Sequence, residues 1–147
     1  MTGWRIGYLG APVDIAEAIS RLQDHSTSNP TSIAQKAAEA ALSAPSDFAD
    51  QLCAEFQKRR NYAISRLNKM KNIKCVVPQG AFYIFCDISE TKMDSSSFAE
   101  RLLSEKFLAL LPGAGFGKID FVRISFATSM EKITQGMDRL EEFLNNL

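Results

Sequence analysis

Two short stretches near opposite ends of the chain each set one arginine among small or apolar neighbours. These are Met1-Thr2-Gly3-Trp4-Arg5-Ile6-Gly7-Tyr8 and Phe121-Val122-Arg123-Ile124-Ser125-Phe126-Ala127-Thr128-Ser129. A guanidinium in so apolar a setting calls for an anionic partner, because an unpaired buried charge is too costly to keep. Two such arginines suggest two anions, or the two ends of one anionic site. Arg is suited to such work, since its planar fork donates two parallel hydrogen bonds to a carboxylate or phosphate and lysine cannot. On the residues alone each has a plainer reading: Arg5 as an arginine packed beside Trp4, Arg123 as an exposed strand arginine.

Other groups offer less. Pro112-Gly113-Ala114-Gly115-Phe116-Gly117-Lys118 is one residue short of a phosphate-binding G-x-x-x-x-G-K-[ST] loop, and Ile119 stands where the magnesium-binding hydroxyl belongs. A glycine-rich turn is the better reading. His25, the only histidine, lies between Asp24 and Ser26, where adjacent residues cannot by themselves form a catalytic triad. One histidine and no C-x-x-C spacing point to no metal site.

The elements that must position these residues follow from periodicity and punctuation. Residues 4–9 read as a short strand ending in Gly10-Ala11-Pro12, and Asp14 as the cap of a helix to about Leu22 with Ile15, Ala18, Ile19 and Leu22 on one face. After a polar loop over 24–32, a small-residue helix spans 33–42. Ala44-Pro45-Ser46 opens the longest helical pattern, in which Phe48, Leu52, Phe56, Ala63, Leu67 and Met70 keep one face. Strands are expected at 74–77 and 81–88, joined by Pro78-Gln79-Gly80. Ser97 with Glu100 reads as a capping box for a helix to Lys106. Two further strands are expected at 107–111 and 121–127, and Thr128 with Glu131 should cap a last helix that turns Ile133, Met137, Leu140, Phe143 and Leu144 inward. In the strand at 121–127, Val122, Ile124 and Phe126 form the natural core side, so Arg123 points the other way. The order from Lys74 onward implies an α+β sandwich, one sheet covered by helices.

At this point the residues carry a resemblance. The first stretch resembles the segment that follows the catalytic lysine in class I/II pyridoxal-phosphate aminotransferases of the bacterial aspartate aminotransferase branch. The second resembles that family's substrate-carboxylate segment. Gln79-Gly80-Ala81-Phe82-Tyr83 is similar to the family's P-x-G-A-F-Y element, although a buried aromatic strand after a turn accounts for Phe82 and Tyr83 nearly as well. Ser26-Thr27-Ser28-Asn29-Pro30 is similar to a loop that the family projects toward a neighbouring subunit.

The resemblance implies the fold-type I transferase architecture. Residues 1–44 would be the end of the large domain, 45–71 a long connecting helix and 72–147 the small domain. It implies pyridoxal phosphate as cofactor, with Arg5 at its phosphate, and Arg123, Gly80 and Phe82 at the substrate. The substrates would be an amino acid, aspartate foremost, and a 2-oxo acid, and the parent enzyme a homodimer. The lysine that forms the Schiff base would stand a few residues before Met1, and no lysine present sits in the matching motif. The chain by itself is therefore expected to be inactive, with no catalytic residue of its own. A non-catalytic dimerisation or ligand-binding module of the same fold is the alternative.

Composition bounds these readings. The 147 residues are 46% hydrophobic and 23% charged, as in an ordinary globular domain, and seventeen basic residues cancel seventeen acidic ones. That balance argues against nucleic acid or an anionic membrane surface as partner. No apolar run is long enough for a membrane span. Cys53, Cys75 and Cys86 are widely spaced within apolar patterns, which reads as buried free thiols in a reducing cytosol.

Overall fold

The computed structural model describes residues 1–45 and 47–147, with the side chain of Thr2 left aside. Contacts divide the chain into two compact units, Met1–Asp47 and Phe48–Leu147.

The N-terminal unit holds two helices, α1 (Val13–Ser26) and α2 (Ser32–Ser43). The expected strand over residues 4–9 does not form. A 3-10 turn spans Thr2–Trp4, Arg5 adopts the left-handed conformation at φ 51°, and the segment then runs irregularly to Pro12. An isolated strand leaves its backbone donors and acceptors unpaired, and the sheet found among the described residues lies wholly in the other unit. Helix α1 runs four residues past its expected end, and Pro12, not Asp14, precedes its first turn. Thr31 caps α2 by accepting from the Ala34 amide. Ala34 is the one buried hydrophobic in this unit among the described residues, while Val13, Leu22 and Ile33 are each more than two-thirds exposed. A segment this short cannot bury much apolar surface on its own account.

The C-terminal unit is an antiparallel four-stranded sheet in the order β1-β2-β4-β3, with helices on one face. Its strands are β1 (Lys74–Cys75), β2 (Tyr83–Asp87), β3 (Leu111–Pro112) and β4 (Phe121–Ser125). Its helices are α3 (Asp47–Leu67), α4 (Ser95–Lys106) and α5 (Met130–Asn145). The order strand, strand, helix, strand, strand, helix is the expected one, and the unit is an α+β sandwich. All five residues expected to face inward from α5 are buried, as are Val122, Ile124 and Phe126. Between α4 and α5, Phe98 meets Phe143 edge to face at 5.3 Å, a geometry that aromatic rings favour. Arg66 of α3 donates to Asp138 (2.7 Å) and Glu141 (2.8 Å) of α5, tying the two helices at the surface.

Several boundaries differ from expectation, each for a local reason. The start of α3 at Ser46 lies outside the described residues. Only the second half of its apolar stripe is covered: Ala63, Leu67 and Met70 are buried, while Phe48 is 74% and Leu52 43% exposed. Strand β1 stops at Cys75, the last of its residues paired with β2, and Val76 and Val77 are exposed. Helix α4 is capped by Asp94 and not by Ser97. The Asp94 carboxylate accepts from the amides of Ser96 and Ser97, both at 3.0 Å, and the Ser97 hydroxyl donates to it as well. Those bonds, the Ser97 hydroxyl foremost, hold its pKa below the ordinary aspartate value. Ser129, not Thr128, caps α5 through the Lys132 amide. The expected strand over 107–111 shrinks to β3, because Phe107 is taken as the left-handed cap of α4 at φ 53°. Pro112, with no amide to donate, is tolerated because β3 is an edge strand.

The run 113–118 packs tightly against the start of α4. Gly113–Phe116 forms a 3-10 turn, closed by amide bonds from Gly117 to Ala114 and from Lys118 to Gly113. Ser95 is fully buried; its hydroxyl accepts from the Ala114 amide at 3.2 Å and its own amide donates to the Ile119 carbonyl at 2.6 Å. A Cβ on Gly113 would stand 2.4 Å from the carbonyl oxygens of both Lys118 and Phe121, whereas one on Gly115 would meet open space.

Two outcomes are expected in urea unfolding of the chain. Gly113→Ala lowers stability by about 2 kcal/mol, the range for forced overpacking, while Gly115→Ala stays within roughly 0.5 kcal/mol. Equal midpoints for the two variants would mean that the tight approach at Gly113 is not a constraint. Ser95→Ala leaves the Ala114 amide without its acceptor and costs about 1 kcal/mol. Hydrogen exchange should then quicken at Ala114; unchanged protection there would show that Ser95 does not pin the turn.

Candidate functional site

Strand β4 separates two chemistries by alternation. Its even positions enter the core, and its odd positions, Phe121 and Arg123, lie on the opposite face of the sheet, half-buried. The antiparallel register sets Phe85 directly opposite Arg123 on one side and Leu111 opposite it on the other, with Tyr83 opposite Ser125. Directly opposed residues share a face, so the outer surface is a patch of rings surrounding one cation. Phe85 stacks on Phe121 at 4.9 Å and meets Phe116 edge to face at 6.2 Å.

Arg123 is held against two rings of this patch. Its guanidinium carbon lies 4.1 Å from the centroid of the Tyr83 ring and 4.4 Å from that of Phe116. Such contacts fix the plane of the guanidinium and leave its N–H edge available. Its Nε is buried and has no hydrogen-bond partner, and none of the ion pairs among the described residues involves it. A buried guanidinium donor with no acceptor is costly, and the arrangement suits a planar anion such as a carboxylate that arrives from outside.

The other expected site residues fall in different surroundings. Phe82 continues the ladder beyond β2, its carbonyl accepting from the Phe126 amide at 2.9 Å. Its ring packs beside Phe56 (6.1 Å) and Tyr83 (4.6 Å), so it touches the Arg123 clamp only through Tyr83. Gly80 is exposed in the turn before it, with open space where a Cβ would stand. Ala81 follows in the left-handed conformation at φ 58°, a strained choice for a residue other than glycine. The turn is held by Arg60, whose Nη1 donates to the Pro78 carbonyl at 3.1 Å.

Arg5 belongs to the N-terminal unit and is exposed, not set in an apolar interior. It lines a surface recess of about 580 Å³ with Met1, Ile6 and Gly7. Nothing lies within 4 Å of a Cβ built on Gly3 or Gly7.

The glycine-rich run is a turn and not a phosphate cradle. Its amides at Ala114, Gly117 and Lys118 are already bonded to Ser95, Ala114 and Gly113, and Lys118 lies over the Phe121 ring at 5.7 Å. What this run contributes is Phe116. Tyr83 and Phe116 as clamps of a guanidinium are the site residues that sequence reasoning missed. Alternation along Tyr83 and Phe85 held the signal for one of them, once the partner strand was known.

His25 lies in the last turn of α1, exposed. Among the described residues no group of three or more His, Cys, Asp or Glu side chains could hold a metal ion. No described helix is long and apolar enough to cross a membrane. The expectation of three buried thiols is corrected: Cys86 is buried, Cys75 half-buried and Cys53 exposed, because the part of α3 that carries Cys53 is not covered.

Comparison with known proteins bears on the whole chain. The family model for aminotransferase class I and II matches residues 1–140. An aspartate aminotransferase from Thermotoga maritima is 46% identical over 99% of this chain, which corresponds to 37% of that protein. Its solved structure superposes with a TM-score of 0.86. An aspartate/prephenate aminotransferase from Cereibacter sphaeroides is 42% identical over 100% of this chain and 39% of its own length. The solved aromatic aminotransferase from Pyrococcus horikoshii matches with a TM-score of 0.88 at 38% identity, over 99% of this chain and 40% of that one. The chain thus spans about two-fifths of the length of these relatives. With a family match over nearly its full length and an α+β unit that matches the solved structures, the chain belongs to the class I and II aminotransferases.

Proposed function

We propose that this chain is the substrate-carboxylate portion of an aminotransferase that exchanges an amino group between an amino acid and a 2-oxo acid with pyridoxal phosphate. The observation that carries the reading is the buried, unpartnered Nε of Arg123 between two aromatic rings. An α-carboxylate is common to every substrate of such a reaction. It could take two parallel hydrogen bonds from the guanidinium edge while Tyr83 and Phe116 keep water from its faces. Exclusion of water raises the worth of that charge pair. Gly80, with no side chain, and Phe82, which backs Tyr83, would border the same substrate. Aspartate is the first candidate, because the Thermotoga relative is an aspartate aminotransferase and the Cereibacter relative an aspartate/prephenate aminotransferase. The aromatic aminotransferase among the neighbours shows how the same scaffold can serve other side chains.

The N-terminal unit suits the cofactor's phosphate. Arg5 supplies a forked cationic donor, and Gly3 and Gly7 leave the backbone open to close approach by an anion. When bound, pyridoxal phosphate supplies an electron sink for charge released at the substrate's Cα. The lysine that anchors it is not among the lysines of this chain, none of which stands in the family's motif. In this reading residues 1–44 close a large cofactor domain, 45–71 form the connecting helix and 72–147 the small domain. The complete enzyme is a cytoplasmic homodimer, and the chain alone does not transaminate.

Two measurements test this. A chimera placing the upstream portion of the Thermotoga maritima relative before residue 1 should transaminate. In it, Arg123→Lys should lower kcat/KM for the amino acid by about 100-fold, within the ~2–5 kcal/mol lost when one partner of a desolvated charge pair is removed. A change below about threefold would remove Arg123 from the substrate site. For the chain alone, pyridoxal phosphate followed by borohydride should mark no single lysine; stoichiometric labelling of one would refute the inactivity.

A further inference from the structure

Cys75 on β1 and Cys86 on β2 stand directly opposite one another in the antiparallel register. Opposed residues in such a pair share a face, with Cα atoms about 4.5–5.5 Å apart. That separation falls inside the roughly 4.4–6.8 Å range a disulfide spans. Both thiols are free. Cys86 is wholly buried on the core face beside Ile84 and Ile88, and Cys75 packs against the edge of that core. Strand β1 is an edge strand, so Cys75 also reaches the outside. It lines a surface recess of about 490 Å³ together with Lys71, Asn72, Lys74 and Glu90. One thiol is therefore accessible and the other is sealed behind it.

We propose that Cys75 and Cys86 form a reactive dithiol that a peroxide-class oxidant converts into a cross-strand disulfide, Cys75 attacking first and Cys86 resolving. The two thiols face each other across the strand pair. Interaction with Cys86 draws Cys75 below the ordinary thiol range, and interaction with Cys75 together with burial pushes Cys86 up. Cys75, the accessible and more readily ionised of the two, is the attacking thiol, and the sealed Cys86 is left to resolve. The Cys75 thiolate attacks one peroxide oxygen, the O–O bond breaks, and hydroxide leaves a sulfenic acid behind. The Cys86 sulfur then attacks the Cys75 sulfur. The S–S bond forms as the S–O bond breaks, and the departing hydroxide takes up the Cys86 proton as water. The two thiols lose two electrons and two protons, and the peroxide ends as two molecules of water. Cys53, exposed on α3, lies outside the pair.

The test uses the chain with Cys53→Ser, treated with hydrogen peroxide, denatured without reductant and alkylated with iodoacetamide. Cys75 and Cys86 fall in one tryptic peptide, residues 75–92. The expected result is loss of the mass of two hydrogen atoms from that peptide, no alkylation at either cysteine, and recovery of both sites after dithiothreitol. An added Cys86→Ala should instead leave a Cys75 sulfenic acid that dimedone traps. The measurement on the chain that retains both cysteines needs no variant at the buried position. Oxygen added at Cys75 there, or a peptide that remains alkylated at both positions, would overturn the proposal.

Discussion

The pairing of β2 with β4 is the constraint on which the C-terminal unit turns. The register that sends Ile84 and Cys86 into the core against Val122 and Ile124 also places Tyr83 and Phe85 on the far face around Arg123. A slip of one residue would exchange the two faces of one strand, exposing its aliphatic side chains and driving its aromatic ones inward. The same hydrogen-bond ladder therefore specifies both the core and the cation's surroundings. Burial of Val122, Ile124 and Phe126 drives the strand into place, and the position of Arg123 follows from it. A third consequence of strand pairing is the meeting of Cys75 with Cys86, through β1 on the opposite edge of β2.

Legibility followed the range of the interactions. The stripe of α5 and the alternation of β4 are local patterns, and each of their inward residues is buried. The order of elements in the unit was equally readable. Capping was not, because Asp94 and Ser129 each lie beside other plausible caps, and the choice depends on where the chain leaves the preceding turn. The segment over residues 4–9 alternates like a strand, but a strand exists only with a neighbour, and alternation says nothing about one. Phe48, Leu52 and Cys53 share the lesson: periodicity tells which residues share a face and is silent on whether anything covers it.

The candidate site shows its cation in the sequence but not the rings around it. An arginine between Val122 and Ile124 is conspicuous in one dimension. The rings that hold it come from forty residues upstream along the chain and from the turn before β4, so only the sheet register unites them. Gly80 and Phe82 were singled out through resemblance, and the fold gives them distinct parts: a bare turn and a ring that stiffens Tyr83 from behind.

Placement of Phe116 explains why so much structure is invested in an apparently plain glycine-rich turn. A ring that is to lie flat on a guanidinium must approach at a fixed height and angle, and a mobile loop would dissipate that precision. Here the turn is pinned from below by the Ser95 hydroxyl and closed on itself by its own amides. Gly113 lets the backbones of residues 113, 118 and 121 come together. The amides of Ala114, Gly117 and Lys118 are consumed in positioning the turn and are not offered to an anion. With Tyr83 fixed by β2 and Phe116 fixed by Ser95, Arg123 cannot fold back onto an acid of its own unit, and its N–H edge stays unspent. Order in the turn thus becomes order at the one cation the sheet face presents.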